Sequence, residues 1–305
     1  MQRLQFAVVA IAFAVGTLLV EAQTQVTGVF FTEGWESGSK AGSFNSNGFG
    51  DLVGSSQFLV QNAVHAGGQW ALQHRLTAGM NGDSVNYATQ HFGDAPATPV
   101  WPSGSGQHFY DLYVQYKVYY SPGFRFDTNY KQFEIGTQDN FDQTAVCCNP
   151  WVANYTTIYV SSGGAQLVEG NNKGTSTPQW IGYAQNQGGY SSSNRFTLTS
   201  GRWYTIEVRR RLNDANVSNG ILQMWVDGTL IMDYRNVLFR VPRNGSFGAN
   251  FTYGTNWVMI SDYALQGVSQ NQSIYYDDVK LSTTYIGTGG TGTAPAAPTN
   301  LRIVS

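Results

Sequence analysis

Polar side chains able to bind an anion or transfer a proton occupy alternate positions of several predicted strands. Gln73 and Arg75 share one side of a strand, and Tyr113 and Lys117 share one side of another. Arginine, lysine and glutamine side chains can neutralise or hydrogen-bond a substrate carboxylate, whereas tyrosine can transfer a proton. The pattern therefore predicts Gln73, Tyr113 and Lys117 as substrate-binding groups and Arg75 as a catalytic candidate.

The predicted strand Lys131–Gly136 carries the next group of polar residues. Gln132 and Glu134 fall on its outward side and are predicted to contact substrate. Lys131 shares the parity of Phe133 and Ile135, which should face the core. A β-bulge at the start of the strand would turn Lys131 outward, where its ammonium group becomes a catalytic candidate.

Acidic residues are not paired on this strand. The positions that alternate with Glu134 are Gln132, Gly136 and Gln138, and none of them is an acid. Hydrolysis of a glycosidic bond commonly requires two carboxyl groups across the scissile bond. The pattern therefore counts against a glycoside hydrolase, and His108 is added as a further acid or base candidate.

The elements that position these residues are predicted to be short strands. Tyr110–Tyr119 and Tyr204–Arg211 alternate apolar and polar side chains, and Asp227-Gly228 is a hairpin turn between two apolar runs. Further strands are predicted at Phe58–Val64, Gln69–Leu76, Ser84–Phe92, Lys131–Gly136, Thr156–Val160, Phe247–Tyr253 and Ser273–Leu281. Many short strands without a convincing long helix predict an all-β fold, a jelly-roll β-sandwich of two antiparallel sheets.

Composition and the chain ends indicate an exported domain. Of 305 residues, 42% are hydrophobic, enough for a sizeable core, and the net charge of −2 gives no reason to expect a nucleic-acid partner. Residues 1–22 have the features of a signal peptide, so we expect a secreted or periplasmic protein, bacterial in character, with no membrane association once the signal is removed. Residues 23–285 are predicted to form the jelly roll, and 286–305 a Gly/Thr/Pro-rich linker and tail.

Several segments resemble a known family. Trp203–Asn213, Asn219–Gly228 and Tyr234–Arg240, together with the closing strand Tyr275–Leu281, are similar to concanavalin A-like jelly-roll polysaccharide lyases of the alginate- and glucuronan-lyase type. The resemblance implies β-elimination on an acidic polysaccharide without an organic cofactor. It also implies catalytic roles for Lys131, which aligns with the lyase lysine, and for Tyr183, which lies where those lyases have a late tyrosine. The glycines and proline that flank the lyase lysine are absent around Lys131.

Two other functions remain open from the sequence. Aromatic side chains such as Trp180 can stack on sugar faces, so a carbohydrate-binding module without catalysis is one alternative. An extracellular structural or interaction module is the other.

A structural Ca²⁺ is the one metal expected. In carbohydrate-binding jelly rolls such an ion often ties the chain ends together, and here Glu36 in an early segment and Asp278 in the late Asp pair resemble its ligands. The adjacent Cys147 and Cys148 can at most close a local turn.

Overall fold

Fourteen β-strands make up the regular structure of the part of the chain that is described. The computed structural model describes residues 26–39, 57–81, 88–93, 108–138, 152–161, 166–170, 196–214, 217–237, 239 and 254–288. The strands are β1 Val29–Glu33, β2 Phe58–Gln61, β3 Ala71–Leu76, β4 Ala88–His91, β5 Asp111–Tyr120, β6 Tyr130–Gln138, β7 Val152–Ser161, β8 Gln166–Gly170, β9 Phe196–Thr197, β10 Trp203–Arg211, β11 Gly220–Val226, β12 Thr229–Val237, β13 Trp257–Ala264 and β14 Gln272–Ser282.

The strands form two antiparallel sheets. The large sheet has the order β12-β11-β10-β5-β14-β3-β2, and β1 pairs with β14 beside β3. The small sheet has the order β4-β13-β6-β7-β8-β9. Within the described ranges no helix is long and apolar enough to cross a bilayer. The predicted all-β jelly-roll sandwich is confirmed.

The core lies between the two sheets and follows the predicted alternation. Val114, Tyr116 and Val118 of β5 are fully buried, whereas Lys117 between them is half-buried on the outer face of the large sheet. Tyr116 stacks on Phe133 of the small sheet with ring centroids 4.4 Å apart. Alternation places one side of each strand in the core, so the polar residues of the other side point away from it.

The turn between β11 and β12 is the predicted two-residue hairpin turn. Asp227 and Gly228 connect β11 to β12, and both have positive φ angles, 49° and 79°. Such a two-residue turn matches the twist of the flanking strands. The hairpin prediction is confirmed.

Four strands were not predicted, β1, β8, β9 and β13. β1, β8 and β9 are short, and β13 contains a bulge at Ser261-Asp262, where its register with β6 shifts. The strand predicted at Phe247–Tyr253 lies outside the described residues.

The core contains a buried polar contact beneath this bulge. Asp262 accepts hydrogen bonds from the Tyr276 hydroxyl and lies 2.8 Å from Nδ1 of His74, and all three side chains are fully buried. Burial raises the pKa of the Asp262 carboxyl, and the contact with His74 opposes that rise. The bulge of β13 is therefore held by a polar network that spans the two sheets.

Candidate active site

A β-bulge in β6 exposes Lys131 on the outer face of the small sheet. Lys131 pairs with Tyr159 of β7 and Phe133 pairs with Ile158, so Gln132 is the extra residue between them. Gln132 and Phe133 consequently both face the interior, and Lys131 faces outward, half-buried. The bulge expected at the start of this strand is confirmed.

Lys131 lies between two tyrosines on neighbouring strands. Its backbone pairs with Tyr263 of β13 on one side and with Tyr159 of β7 on the other. Lys131 Nζ lies 4.9 Å from the centroid of the Tyr263 ring. Tyr159 alternates with the inward-facing Ile158 and Val160 and is 7% exposed, whereas Tyr263 is half-buried. One ammonium group and two phenols thus form a row across three strands, which we call the lysine row.

Glu134 belongs to the next row of the same face. It pairs with Met259 of β13 and with Thr157 of β7, and its side chain is 2% exposed. Because Gln132 is the extra residue of the bulge, the β7 partners of Lys131 and Glu134 are two residues apart, about 7 Å at the rise of a strand. A carboxyl group therefore lies on the same face as the lysine row without being directly opposite Lys131.

Trp257 covers β6 beyond Glu134. It pairs with Gly136, and a Cβ atom at position 136 would lie only 2.5 Å from ring atoms of Trp257. The indole is 1% exposed. Glycine is required at this position because the ring lies directly over the strand.

The outward placement of Gln132 is wrong. Its amide group donates to the Tyr120 hydroxyl and accepts from the Tyr116 hydroxyl at 3.3 Å, and the side chain is fully buried between the sheets. The alternation along β6 placed Gln132 on the wrong side of the sheet because it assumes a strand without a bulge. Gln132 supports the bulge that exposes Lys131 and does not reach substrate.

Four other candidates lie on the outer face of the large sheet, on the far side of the core from Lys131. They are Gln73 and Arg75 on β3 and Tyr113 and Lys117 on β5. Lys117 Nζ is 2.6 Å from Asp278 Oδ2. Because the core separates the two faces, these residues cannot share one site with Lys131.

The remaining candidates are not near the lysine row in the described structure. His108 precedes β5 beside the Phe109–Thr255 bridge, at the end of β13 opposite to Tyr263. Tyr183 and Trp180 lie outside the described residues, as do Cys147 and Cys148.

Tyr113 is covered by the segment that follows β14. Tyr285 packs against Tyr113 and Trp225 with ring centroids 6.2 and 5.2 Å away, and Tyr113 is only 7% exposed. Glu207 Oε1 and Oε2 accept the N–H groups of Ile286 and Gly287 at 2.8 and 2.9 Å. Burial raises the pKa of the Glu207 carboxyl. We call residues 283–288 the C-terminal strap; it leaves Tyr113 little surface for a ligand.

Four carboxyl groups gather where β1 and β3 meet along β14. β1 pairs with the later half of β14 and β3 with the earlier half, and the register of β14 shifts between Asp277 and Lys280. Glu33 and Glu36 lie at the end of β1, and Asp277 and Asp278 lie at the shift. We call these four residues the acidic junction.

Protein donors engage part of the acidic junction. Asp277 Oδ2 accepts the N–H groups of Ala66 and Gly67, and Glu36 Oε2 accepts that of Gln69 at 2.8 Å. Glu33 Oε1 accepts the N–H of Trp35, while its Oε2 is buried with no hydrogen-bond partner among the described residues. Burial raises the pKa of both the Glu33 and Asp277 carboxyls.

The buried carboxyls of the junction suit a cation that takes mixed ligands. Glu33 is 4% exposed and Asp277 is fully buried, and the ionised forms of both are costly without a counter-charge. In the described part of the chain no three acidic, histidine or cysteine side chains are arranged around one metal position. Ca²⁺ also accepts backbone carbonyl oxygens, so two carboxylates and neighbouring carbonyls are a suitable donor set.

Sequence reasoning missed four of the residues that define these sites. Tyr159 was within reach of the alternation of Thr156–Val160, but Tyr263 lies on β13, a strand that was not predicted. Glu33 lies at the end of β1 and Asp277 at the register shift within β14, and only the pairing of β1 with β14 places Glu33 opposite Val279, two residues from Asp277.

The fold belongs to the class of jelly-roll β-sandwiches, and several solved structures share it. The cellulose-induced protein Cip1 is 14% identical, with 85% of this chain and 100% of that chain covered and a TM-score of 0.51. The globular domain of T. cruzi calreticulin is 10% identical, with coverages of 84% and 89% and a TM-score of 0.50. An endo-β-1,4-glucuronan lyase from the fungus Trichoderma reesei is 14% identical, with coverages of 76% and 92% and a TM-score of 0.48. At such identities the likeness concerns the fold alone.

One family is also matched at the level of sequence. The profile of Polysaccharide lyase 14 matches residues 164–255, a segment that includes β8 to β12. No curated protein matches the chain significantly. The profile match confirms the resemblance of this chain to jelly-roll polysaccharide lyases.

Proposed function

We propose that the protein cleaves an acidic polysaccharide by β-elimination at the lysine row. The observation that carries the proposal is the bulge of β6, which turns Lys131 outward between Tyr263 and Tyr159. The matched profile of a polysaccharide lyase family supports the same class of reaction.

The lysine row offers the groups that this reaction needs. The Lys131 ammonium would neutralise the carboxylate of a uronate unit, which makes the proton on C5 more acidic. The Tyr263 phenol, whose ring lies 4.9 Å from Lys131 Nζ, would take that proton as its phenolate. The C4–O bond then breaks as the C4–C5 double bond forms, and the phenol returns its proton to the leaving oxygen. The reaction consumes no water.

The carboxyl groups of the small sheet favour elimination over hydrolysis. Glu134 faces outward, whereas Asp262 of β13 is turned into the core and held by His74 and Tyr276. The described side chains of β6, β7 and β13 therefore present no second acid beside Glu134 on the outer face near Lys131. A hydrolase would need two carboxyl groups across the scissile bond.

The test is cleavage of a panel of polyuronates, followed by the ultraviolet absorbance of the unsaturated uronate product. Lys131→Ala and Tyr263→Phe should each lower kcat about 10²–10⁴-fold, the usual contribution of a proton-transfer group or a charge-stabilising donor. Tyr110→Phe, which alters an exposed tyrosine away from the row, is the matched control. Full activity in both Lys131→Ala and Tyr263→Phe would exclude the lysine row as the active site.

Export is a further proposal. Residues 1–22 carry the charged start, apolar run and small residues of a secretory signal, and an extracellular polysaccharide suits an exported enzyme. A mature N-terminus at Gln23, determined on secreted protein, is the expected result.

We also infer that Ca²⁺ stabilises the acidic junction, held by the carboxylates of Glu33 and Asp277, with Glu36 and Asp278 beside them. The buried Oε2 of Glu33, which has no hydrogen-bond partner among the described residues, supports this inference. When bound, the ion would supply charge compensation between the two ends of the domain, and it has no part in the elimination.

A further inference from the structure

A row of aromatic side chains crosses the outer face of the large sheet. Trp203 of β10 pairs with Tyr119 of β5, and Tyr119 pairs with Tyr275 of β14. Their ring centroids are 5.4 and 5.7 Å apart, and all three side chains are half-buried, with part of each still accessible. The row covers two strand separations, about 10 Å. We call these three residues the aromatic platform.

Hydrogen-bonding groups continue the row beyond Tyr275. Gln73 of β3 pairs with Tyr275, and its amide nitrogen donates to the Tyr275 hydroxyl at 3.2 Å and to Ser273 Oγ at 2.9 Å. Alongside lies an open cavity of about 430 Å³, lined by Arg75, Ser121, Asn271 and Ser273 among others. Stacking rings therefore lead into a cavity rich in hydroxyl and amide groups.

The other aromatic cluster on the same face is arranged differently. Tyr113 and Trp225 are 7% and 2% exposed, because the C-terminal strap packs Tyr285 over them. The outer face of a half-buried antiparallel sheet is ordinarily polar. Large aromatic side chains there are therefore either covered by another segment of the chain or available to bind a ligand. The platform belongs to the second kind, since its rings stay accessible.

We propose that the aromatic platform is a second binding site for an acidic polysaccharide chain, separate from the site of cleavage. Sugar faces would stack on Trp203, Tyr119 and Tyr275, and their hydroxyl groups would hydrogen-bond to Gln73 and Ser273. The core separates the platform from Lys131, so one polymer segment is held while the active site takes another. Such tethering raises the effective concentration of polymer at the active site without changing its chemistry.

Arg75 selects the acidic class of polysaccharide. Its side chain is exposed at the edge of the cavity, next to Ser273 on the neighbouring strand. A guanidinium group matches a carboxylate with two parallel hydrogen bonds. Lys117, the nearest lysine on this face, is already paired with Asp278, whereas Arg75 lines the cavity and is exposed to a uronate. The inference shares the substrate class of the proposed function but does not depend on its chemistry.

The test measures binding of full-length protein to polymeric alginate and glucuronan by affinity electrophoresis, in the Lys131→Ala background so that no polymer is cleaved. Trp203→Ala and Tyr119→Ala, made separately, should each weaken binding about tenfold. Arg75→Gln should weaken binding to both polyuronates and leave binding to a neutral β-glucan unchanged. Tyr110→Ala, an exposed tyrosine outside the platform, is the control and should bind normally.

Activity separates this proposal from the proposed function. In protein that keeps Lys131, the platform variants should cleave short uronate oligosaccharides as wild type does and lose efficiency only on long polymers. Unchanged polymer binding in both aromatic variants overturns the platform, as does an equal loss in Tyr110→Ala or no polyuronate binding by the protein. Preference for the neutral β-glucan, unaffected by Arg75→Gln, overturns the acidic specificity. Undiminished cleavage by Lys131→Ala would instead count against the lysine row and leave the platform standing.

Discussion

Removal of Ca²⁺ should lower the thermal stability of the protein by a measurable amount. The perturbation acts on Glu33 and Asp277, which are 4% and 0% exposed in the acidic junction. An ion present at 100 times its Kd stabilises the native state by about 2.7 kcal/mol. At about 2–4 °C per kcal/mol for a domain of this size, EGTA should lower Tm by roughly 5–10 °C.

The pH dependence of the ion-free protein follows from the same carboxyls. Burial raises the pKa of Glu33 and Asp277 above the ordinary values of 4.5 and 3.8. Between the ordinary and the raised values the folded protein binds protons that the unfolded chain has released. Stability therefore falls as pH rises through this window and is greatest below it. Bound Ca²⁺ replaces those protons, so the fall should be smaller in its presence.

Differential scanning fluorimetry in EGTA, in Ca²⁺ and in Mg²⁺ measures both effects. Glu33→Gln and Asp277→Asn should abolish the response to Ca²⁺, and Glu36→Gln and Asp278→Asn test the outer pair predicted from the sequence. Asp127→Asn, an exposed acid far along the chain, is the control that should respond like wild type. A Tm that EGTA leaves unchanged in wild type would refute the calcium proposal.

Three further substitutions test the packing that positions the two faces. Gly136→Ala places a methyl group 2.5 Å from the buried Trp257 ring and should cost about 1–3 kcal/mol, seen as a lower Tm by circular dichroism; an unchanged Tm would contradict the close packing. Asp262→Ala breaks the buried contact with His74 and should cost about 3–5 kcal/mol in urea unfolding, more than Asp262→Asn, because asparagine keeps an acceptor and tolerates the positive φ of 44°. Glu207→Gln weakens the hydrogen bonds that hold the C-terminal strap, so Trp225 fluorescence should shift to the red and added protease should cut the chain near Ile286. A proteolysis pattern identical to that of wild type would show that Glu207 does not hold the strap.

Much of the fold could be predicted because it depends on local patterns. The alternation of Tyr110–Tyr119 assigned Val114, Tyr116 and Val118 to the core and Lys117 to the outside, as the structure has them. The Asp227-Gly228 turn was equally clear, since few residue pairs accept positive φ at both positions. Lys131 was proposed as a catalytic residue from the family resemblance. The bulge that exposes it was expected because its position in the alternation would otherwise point it into the core.

The sequence did not determine the contacts that depend on pairing between strands far apart in the chain. Gln132 faces inward and Lys131 outward because a bulge in β6 shifts the register, and a one-residue shift reverses the side on which each residue lies. The pairing of β14 with β1 places Glu33 opposite Val279, two residues from Asp277, and the C-terminal strap buries Tyr113. Arg75 and Lys131 were assigned to one site from their chemistry, yet they lie on opposite sheets. Local residue types determined which strands form, whereas strand partners and register decided which side chains share a face, because those depend on packing between segments far apart in the chain.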